Sequence, residues 1–578
     1  MAGLYLPSEV SISIVATSDV KKLSPTSEQS RSAGRLWLLF TGVSVLLILM
    51  AATRWILDHP YGIHWDEALY FNQAVTNIWK FKSENLHKIG GVFLSGDSSR
   101  PPAYRVLVLP LLALFGFKIA VARFVSLALS SVSAWLIYLA TRRVGSPVAG
   151  AFAVLVFSLS PDVVSASIFF SSDAPLYLAS SAMLYFLFVH WSDRSINPGN
   201  WVGLGLAIGL GFLSKTSFVL IAFPVLAFAL IAGRRRLGVP GLAFLLKAGA
   251  LAFLIAAPWW LLNIRNALRY AKFAMDAPRN SLGPSSLHIW AQWLGTVALG
   301  LLGPGLTIVI VLVAVFAFHQ IIITRKTALD PVQRTALIAC LCAALPLVVV
   351  QLTGTNHLLR YLTPAVIPLA ITVGVLADKT GWARCWLSIA ASAFCFVAQL
   401  VMLTAPVVFP NTQPVDPGFK NGGLPWRIMV RFDQWNWKPL RDISDTCAIE
   451  TPRISYLGNG RAFNPPQLQY PWVVRGSSPP DATWLWRYED GPVDWTKVMG
   501  SIGQSDIVLT APHYVGQVTD WQDLDNQHNA EFSERLAQDA RFRGPIRLEM
   551  GRFEPIEVLV FLKKTLVCHS AGEGQAKR

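Results

Sequence analysis

The sequence contains few charged residues for its length. Only 14% of its 578 residues are Asp, Glu, Lys or Arg, whereas 53% are hydrophobic. Soluble domains carry about 25% charged residues. The composition therefore argues against a soluble protein and favours a chain that crosses a membrane several times. The lipid bilayer is then one of its expected partners.

Cysteine patterns typical of metal sites are missing. The six cysteines form no C-x-x-C or similar ligand spacing, so we predict no cysteine metal site. No other metal-ligand cluster and no nucleotide site are evident in the sequence, so we expect no metal and no cofactor. Zinc-finger and basic-zipper spacings are also missing, which argues against nucleic acid as a partner. The net charge of +15 is better explained by basic cytoplasmic loops and by contacts with anionic lipid.

The chain start has no small-residue cleavage site after an apolar core. Residues 1–33 are rich in Ser and Thr, and we predict a disordered cytoplasmic tail rather than a signal peptide. Residues 34–405 are predicted to form the membrane domain, with a long first outer loop at 58–102. Residues 406–578 are predicted to form an extracytoplasmic α/β domain.

Long apolar runs predict about eleven membrane-spanning helices, at roughly twenty residues per crossing. The run Val106 to Phe117 is too short for a comfortable crossing, so the segment 103–117 is predicted to be interfacial or re-entrant. The predicted spans are 36–57, 119–141, 147–165, 174–191, 200–214, 216–232, 241–262, 291–317, 333–352, 360–377 and 383–405.

The Arg and Lys clusters between these spans set the orientation. If 106–117 does not cross, every short cluster falls on the side of the basic N-terminal tail, as the positive-inside rule requires. The loop 58–102, the loop 263–290 and the C-terminal third then lie outside. The cytoplasmic clusters are Arg142-Arg143, Arg194, Arg234-Arg235-Arg236, Arg325-Lys326 and Lys379 with Arg384.

The first outer loop carries an acidic pair, Asp66 and Glu67, within the segment from Ile63 to Tyr70. Acidic residues at a membrane face are costly, which favours a functional role. The alternative is a solvated helix start, capped by Asp66 and stabilised by Glu67. Apolar residues at helical spacing over 66–81 predict an amphipathic helix on the membrane surface.

Several cations lie on the predicted outer side, where the positive-inside rule does not expect them. Such a set favours an anionic ligand such as a phosphate, although each cation alone could extend to lipid head groups. The set is Arg100, Arg105, Lys215, Arg265, Arg269, Lys272, Arg279 and Arg360.

A second acidic site is Asp173, at the outer end of a predicted span. It could bind a sugar or an acceptor, or it could cap a helix. Two carboxylate sites and several cations on one face suit sugar transfer from a lipid phosphate: a carboxylate removes the acceptor proton, and cations hold the leaving phosphate. Gly458-Asn459-Gly460 indicates a turn and is too weak for a nucleotide loop.

These motifs, taken in order along residues 36–405, resemble the polyprenyl-phosphate-sugar-dependent glycosyltransferases of the GT-C fold. The nearest groups are the protein O-mannosyltransferase type and the bacterial enzymes that transfer aminoarabinose or galacturonic acid to lipid A. The matching motifs are Asp66-Glu67-Ala68-x-Tyr70, Arg100-Pro101-Pro102, Ser172-Asp173-Ala174-Pro175, Gly211-Phe212-Leu213-x-Lys215 and Arg360-Tyr361-Leu362-x-Pro364.

The resemblance implies an inverting enzyme in the bacterial inner membrane, with its active site and C-terminal domain in the periplasm. It implies Asp66 as base, with Glu67 beside it. Ser99 stands where the lipid A transferases carry an acidic residue, which argues against aminoarabinose as the donor sugar. The implied donor-phosphate ligands are Arg100, Lys215, Arg279 (or, less directly, Arg265) and Tyr361, and the residues expected to bind acceptor or sugar are Asp173, His64, Tyr70 and Arg360.

The expected partners are a polyprenyl-phosphate sugar and a lipid, glycan or protein acceptor. A transporter or lipid flippase is the alternative, but the charges gather at one face and no matching halves are evident. A membrane-anchored binding protein is a third reading and rests on the C-terminal domain alone.

The C-terminal domain is predicted from short strand-like runs. These runs are 507–509, 546–548 and 558–562, and 531–539 is predicted to be a helix. Its tryptophans could stack on sugars or could anchor the core; they are Trp426, Trp435, Trp437, Trp484, Trp486 and Trp495.

Overall fold

The computed structural model describes most residues of the chain. They are 27–62, 65–83, 90–91, 93–94, 96–192, 198–276, 287–325, 327–353, 358–408, 429, 434–460, 463–514, 521–551 and 555–569. Residues 1–26 of the predicted tail lie outside the described residues, and the first helix already begins at Ser27.

The described part of the chain up to Val408 is helical. Its apolar runs form helices because a membrane offers no water to satisfy open backbone groups. The helices are α1 (Ser27–Asp58), α2 (Trp65–Ser83), α3 (Ala103–Phe115), α4 (Ile119–Val144), α5 (Pro147–Ser158), α6 (Pro161–Ile168), α7 (Asp173–Ser192), α8 (Pro198–Ser214), α9 (Phe218–Asp276), α10 (Leu287–Thr296), α11 (Pro304–Phe318), α12 (Pro331–Thr353), α13 (Val366–Lys379) and α14 (Trp386–Val408).

The number of spans differs from the sequence prediction. Within the described ranges, seven helices are long and apolar enough to cross a membrane, or eight if the bent pair α5 and α6 counts as one. The count of eleven is not confirmed. One reason is that several predicted spans form apolar helices shorter than 18 residues, among them Gly199–Ser214 and Phe218–Ala232. Phe212 of α8 contacts both Phe218 and Trp260, so the chain reverses direction within α9 and the predicted spans 216–232 and 241–262 remain separate. The second part of α9 extends to Asp276, into the predicted loop 263–290.

The centre of the bundle is α5, whose residues Val148 to Phe157 are all buried. It packs against α1, α4 and α13. Gly374 of α13 allows this close approach, because a β-carbon there would overlap the Ala149 carbonyl. Small residues at such contacts let helix backbones approach each other in membranes.

The helix α4 connects two ends of the bundle with different chemistry. Arg123 lies in the second turn and contacts the first loop, whereas the exposed Arg142 and Arg143 lie in the last turn. Near that last turn, Gln333 donates to the Val144 carbonyl at 2.9 Å. The predicted cytoplasmic clusters at 142–143 and the predicted outer loop therefore lie at opposite ends of α4.

The predicted helix of the first loop is present as α2. Its apolar residues Phe71, Ala74 and Val75 are buried, and it packs against α3 and the C-terminal domain. Asn72 Nδ2 donates to the Pro466 carbonyl at 2.8 Å. The apolar face of the helix is therefore covered by protein rather than left open to lipid.

The predicted interfacial segment forms α3, a helix of 13 residues with Pro110 inside it. At 1.5 Å per residue it extends about 20 Å, less than the thickness of a bilayer core of about 30 Å. It ends before Gly116, whose φ of 86° suits glycine.

A fully buried ion pair fixes the first loop to the bundle. Glu67 and Arg123 are both 0% exposed and meet at 2.6 Å. Arg123 also donates to the backbone carbonyls of His59 and Tyr61, and Glu67 accepts from the Phe170 amide at 3.1 Å. The loop, α4 and the start of α7 are thus joined around one charge pair.

The C-terminal part contains the predicted α/β domain. Its strands are β1 (Arg453–Tyr456), β2 (Asp481–Trp484), β3 (Ile507–Thr510), β4 (Phe542–Met550) and β5 (Ile556–Lys563), in the order β2-β1-β3-β5-β4. β1 is parallel to β2 and β3, whereas β5 is antiparallel to β3 and β4. The helices are α15 (Lys438–Thr446), α16 (Pro465–Val473), α17 (Trp495–Ser501) and α18 (Asn529–Gln538).

The three predicted strands correspond to β3, β4 and β5, and the predicted helix corresponds to α18. The fold class is therefore confirmed: an α-helical membrane domain followed by a small α/β domain. A disulfide bond between Cys447 and Cys568 closes this second domain, which cysteine spacing did not predict.

We expect reduction of this disulfide to lower the unfolding free energy of the C-terminal domain by about 2–5 kcal/mol, because the bond closes a long loop. The two cysteines are separated by 121 positions. Limited proteolysis of the full chain, with and without reductant, measures the effect. The variant Cys385→Ser, which removes an exposed free thiol, is the control. Equal proteolysis with and without reductant would contradict the expectation.

We expect Glu67→Ala to destabilise the protein by about 3–5 kcal/mol, because it leaves the Arg123 charge buried without its carboxylate. Thermal unfolding in detergent measures the change.

The control is Glu531→Ala, which breaks the exposed pair with Arg535 and should cost less than about 1 kcal/mol. Similar losses for both variants would show that the buried pair has no special role.

Candidate active site

A cavity of about 790 Å³ lies at the end of the bundle that carries the first loop. Its deep walls are apolar and come mainly from α8 and α9, including Phe212, Phe223 and Ala256. Its polar lining residues are Tyr70, Ser99, Arg100, Ser171, Ser172, Asp173, Ser214, Lys215, Thr216, Ser217, Tyr270, Gln351, Arg360 and Tyr361.

Asp66 is joined to this cavity through Arg360. The Arg360 Nη1 atom lies 2.7 Å from Asp66 Oδ2, and the Asp66 side chain is 17% exposed. Asp66 lies in the first turn of α2, where the helix dipole favours a negative charge. The carboxylate is therefore oriented while part of it stays accessible.

Asp173 and Lys215 form a second ion pair. Lys215 Nζ lies 2.5 Å from Asp173 Oδ1, and their side chains are 16% and 10% exposed, respectively. Asp173 begins α7, and its carboxylate also accepts from the Ser171 hydroxyl at 3.1 Å. Lys215 lies in the turn between α8 and α9, at the position that the sequence predicted.

Arg100 is held by groups that the sequence reasoning did not identify. Its guanidinium donates to the Tyr270 hydroxyl at 3.0 and 3.2 Å. Its Nη1 atom lies 3.5 Å from Asp97 Oδ2, and its Cζ atom lies 5.6 Å from the centre of the Tyr70 ring. Asp97 thus supplies an acidic partner two positions before Ser99.

Tyr361 lies between two cations. Lys215 Nζ is 5.0 Å and Arg360 Cζ is 5.4 Å from the centre of its ring. Burial acts to raise the pKa of Tyr361, but the positive charges of Arg360 and Lys215 outweigh it and lower the pKa below its ordinary value. The phenol therefore lies beside two cations of the cavity lining, each of which is paired with a carboxylate.

Other predicted site residues do not join this group. Glu67 is buried against Arg123, away from the cavity lining. Arg265 is exposed on α9 and does not line the cavity. His64 and Arg279 lie outside the described residues.

Asp162 and Thr363 are further polar groups near the site. The Thr363 hydroxyl donates to the Asp162 carboxylate, which connects α6 to the short helix Thr363–Ala365. Asp162 follows Pro161 in an apolar run and Tyr270 falls in a segment predicted to be a loop. No sequence spacing distinguishes either residue.

The cavity joins apolar walls to a group of cations, which suits an amphipathic anion. Low polarity around Arg100, Lys215 and Arg360 strengthens their attraction for a negative charge. In the described part of the chain, no three His, Cys, Asp or Glu side chains are arranged to hold a metal ion.

Residues 99–262 match the family described as dolichyl-phosphate-mannose-protein mannosyltransferase. The matched segment contains Arg100, Asp173 and Lys215 and ends within α9. It covers less than half of the chain. No curated protein matches the chain by sequence.

Solved structures resemble the chain over most of its length. ArnT from Cupriavidus metallidurans bound to undecaprenyl phosphate has a TM-score of 0.54 at 15% identity, covering 90% of this chain and 97% of that one. The archaeal oligosaccharyltransferase AglB from Archaeoglobus fulgidus, in complex with an inhibitory peptide and a dolichol-phosphate, has a TM-score of 0.51 at 12% identity, covering 82% and 69%.

The arabinofuranosyltransferase AftD from Mycobacteria has a TM-score of 0.52 at 13% identity and covers 92% of this chain and 40% of that chain. At such low identity these likenesses concern the fold. The chain therefore has the GT-C fold of membrane glycosyltransferases, as its motifs predicted.

Proposed function

We propose that the chain is a multi-pass membrane glycosyltransferase that transfers a sugar from a polyprenyl-phosphate donor to an acceptor hydroxyl or phosphate, with inversion. The observation that carries the proposal is that Arg100, Lys215 and Arg360 line one cavity with apolar walls, and that Arg360 pairs with Asp66 at 2.7 Å. These residues are up to 294 positions apart in sequence.

The donor phosphate is placed among the cations. Arg100 offers a planar guanidinium and Lys215 offers a point charge, and both residues line the cavity. The polyprenyl chain then lies along the apolar walls from α8 and α9. The ArnT structure holds undecaprenyl phosphate and the AglB structure holds dolichol-phosphate, which supports a ligand of this class.

The transfer step follows from this placement. The Asp66 carboxylate accepts the proton of the acceptor hydroxyl, and the hydroxyl oxygen forms a bond to the anomeric carbon. The bond from that carbon to the phosphate oxygen breaks, and the polyprenyl phosphate leaves with the electron pair. Arg100, Lys215 and Arg360 stabilise the charge that grows on the leaving phosphate.

The active site is placed on the periplasmic face of a bacterial inner membrane. The disulfide Cys447–Cys568 supports an oxidising compartment for the C-terminal domain. The exposed Arg142 and Arg143 lie at the opposite end of α4, which the positive-inside rule assigns to the cytoplasm.

Asp66→Asn should reduce transfer about a hundredfold or more, because the amide keeps the size of the side chain but cannot accept the proton. Sugar transfer from a panel of polyprenyl-phosphate sugars, followed by mass spectrometry, measures turnover.

The control is Asp58→Asn, which changes the exposed pair with Arg54 at the end of α1 and should keep normal turnover. Normal turnover by Asp66→Asn would eliminate this residue as the base.

Arg100→Ala and Lys215→Ala should each weaken donor binding about tenfold or more, because each removes a charge-assisted contact to the phosphate. Binding of undecaprenyl phosphate to the purified protein, measured by native mass spectrometry, checks this. Arg269→Ala is the matched control, since Arg269 is exposed on α9 and does not line the cavity. Unchanged binding in both site variants would contradict the assignment of Arg100 and Lys215 to the donor phosphate.

A further inference from the structure

The parallel part of the C-terminal sheet has a topological switch point. From β1 the chain passes through α16 to β2 on one side, and then through α17 to β3 on the other side of β1. In open α/β sheets, ligands bind outside the carboxyl ends of the strands at such a point. The residues at these ends are Trp484 of β2, Tyr456 of β1 and Thr510 of β3.

Polar atoms at this edge are buried without partners. The Nε1 atom of Trp484, the hydroxyl of Tyr456 and both side-chain amide atoms of Asn459 have no hydrogen-bond partner in the described structure. Tyr456 and Asn459 are 0% exposed. Each such atom costs about 1–3 kcal/mol, so a cluster of them at a switch point indicates a ligand that would satisfy them.

The Asn459 side chain makes no hydrogen bond within the described structure. The backbone of Asn459 is held instead by Asn526, whose Oδ1 accepts from the Asn459 amide at 2.9 Å and whose Nδ2 donates to the Asn459 carbonyl at 2.6 Å. This clamp fixes the loop after β1 and leaves the Asn459 amide available for another group.

The same edge of the sheet contacts the first loop, which carries Asp66. The Trp484 ring lies 6.1 Å from the ring of Trp65, with an angle of 47° between their planes. Trp65 immediately precedes Asp66, and both tryptophans are half-buried. A ligand on Trp484 therefore lies beside the residue next to the proposed base.

We propose that this edge is the binding site for the acceptor, and that the acceptor is a glycan with neutral hydroxyl groups. The inference rests on the proposed function. Indole faces suit the C–H face of a sugar ring. The indole N–H, the phenol and the amide are neutral donors and acceptors that match sugar hydroxyls.

The Arg487 side chain lies over the Trp484 ring. Its Cζ atom lies 4.6 Å from the centre of the Trp484 ring, where a stacked sugar would lie, and the Arg487 side chain is exposed. Sugar binding displaces this long side chain, which can move into water at little cost. Arg487→Ala should therefore strengthen glycan binding about twofold to fivefold, since a cation–π contact at an exposed site contributes about 0.5–1 kcal/mol.

The test uses the full-length protein in detergent on an array of immobilised neutral and phosphorylated mono- and oligosaccharides. We expect binding to a subset of the neutral glycans, and a loss of about tenfold or more for Trp484→Ala. Asn459→Ala, which removes no packing ring, should also weaken binding. The matched control is Trp495→Ala, because Trp495 lies under Arg535 at 4.5 Å in the same domain but packs on Phe532.

Binding to none of the glycans, binding only to the phosphorylated ones, or equal binding by wild type and Trp484→Ala would each overturn the site. A different result would contradict the proposed function itself: a wild-type protein that neither binds nor consumes any polyprenyl-phosphate sugar. If Trp484→Ala raises the KM for an accepted glycan while donor hydrolysis continues at the wild-type rate, the acceptor role is supported directly.

Discussion

The fully buried ion pair between Glu67 and Arg123 fixes the position of the first loop. Neither side chain reaches solvent, so separating them would leave a charge in a medium where it is poorly solvated. The pair also holds the backbone at His59, Tyr61 and Phe170. Because Asp66 is the neighbour of Glu67 on α2, the same pair determines where the proposed base lies.

The two acidic neighbours therefore have different roles. Glu67 points into the protein and supports the loop, whereas Asp66 meets Arg360 beside the cavity. The ion pairs of Asp66 with Arg360 and of Asp173 with Lys215 keep four charges compatible with a largely apolar surrounding. A phosphate placed among Arg100, Lys215 and Arg360 would enter a region already arranged for negative charge.

The C-terminal domain completes this arrangement. Its helix α16 packs on α2, and Trp79 of α2 donates to the Val473 carbonyl at 3.0 Å. The contact of Trp65 with Trp484 brings the carboxyl edge of the sheet to the first loop. One helix thus contacts both the membrane domain, which provides the cations, and the domain to which we assign the acceptor.

Apolar runs and short motifs were sufficient to predict a helical membrane domain, a C-terminal α/β domain, and the candidates Asp66, Arg100, Asp173, Lys215 and Arg360, because hydrophobic burial and charge cost act on local sequence. The sequence did not predict that α9 continues as a helix to Asp276, into the predicted loop 263–290, because local propensity is weak there and packing against neighbours decides. Nor could it assign Tyr270 to Arg100 or Arg123 to Glu67. These pairs form because the packed helices bring the two side chains within hydrogen-bond distance. That distance depends on the whole fold and not on any one segment.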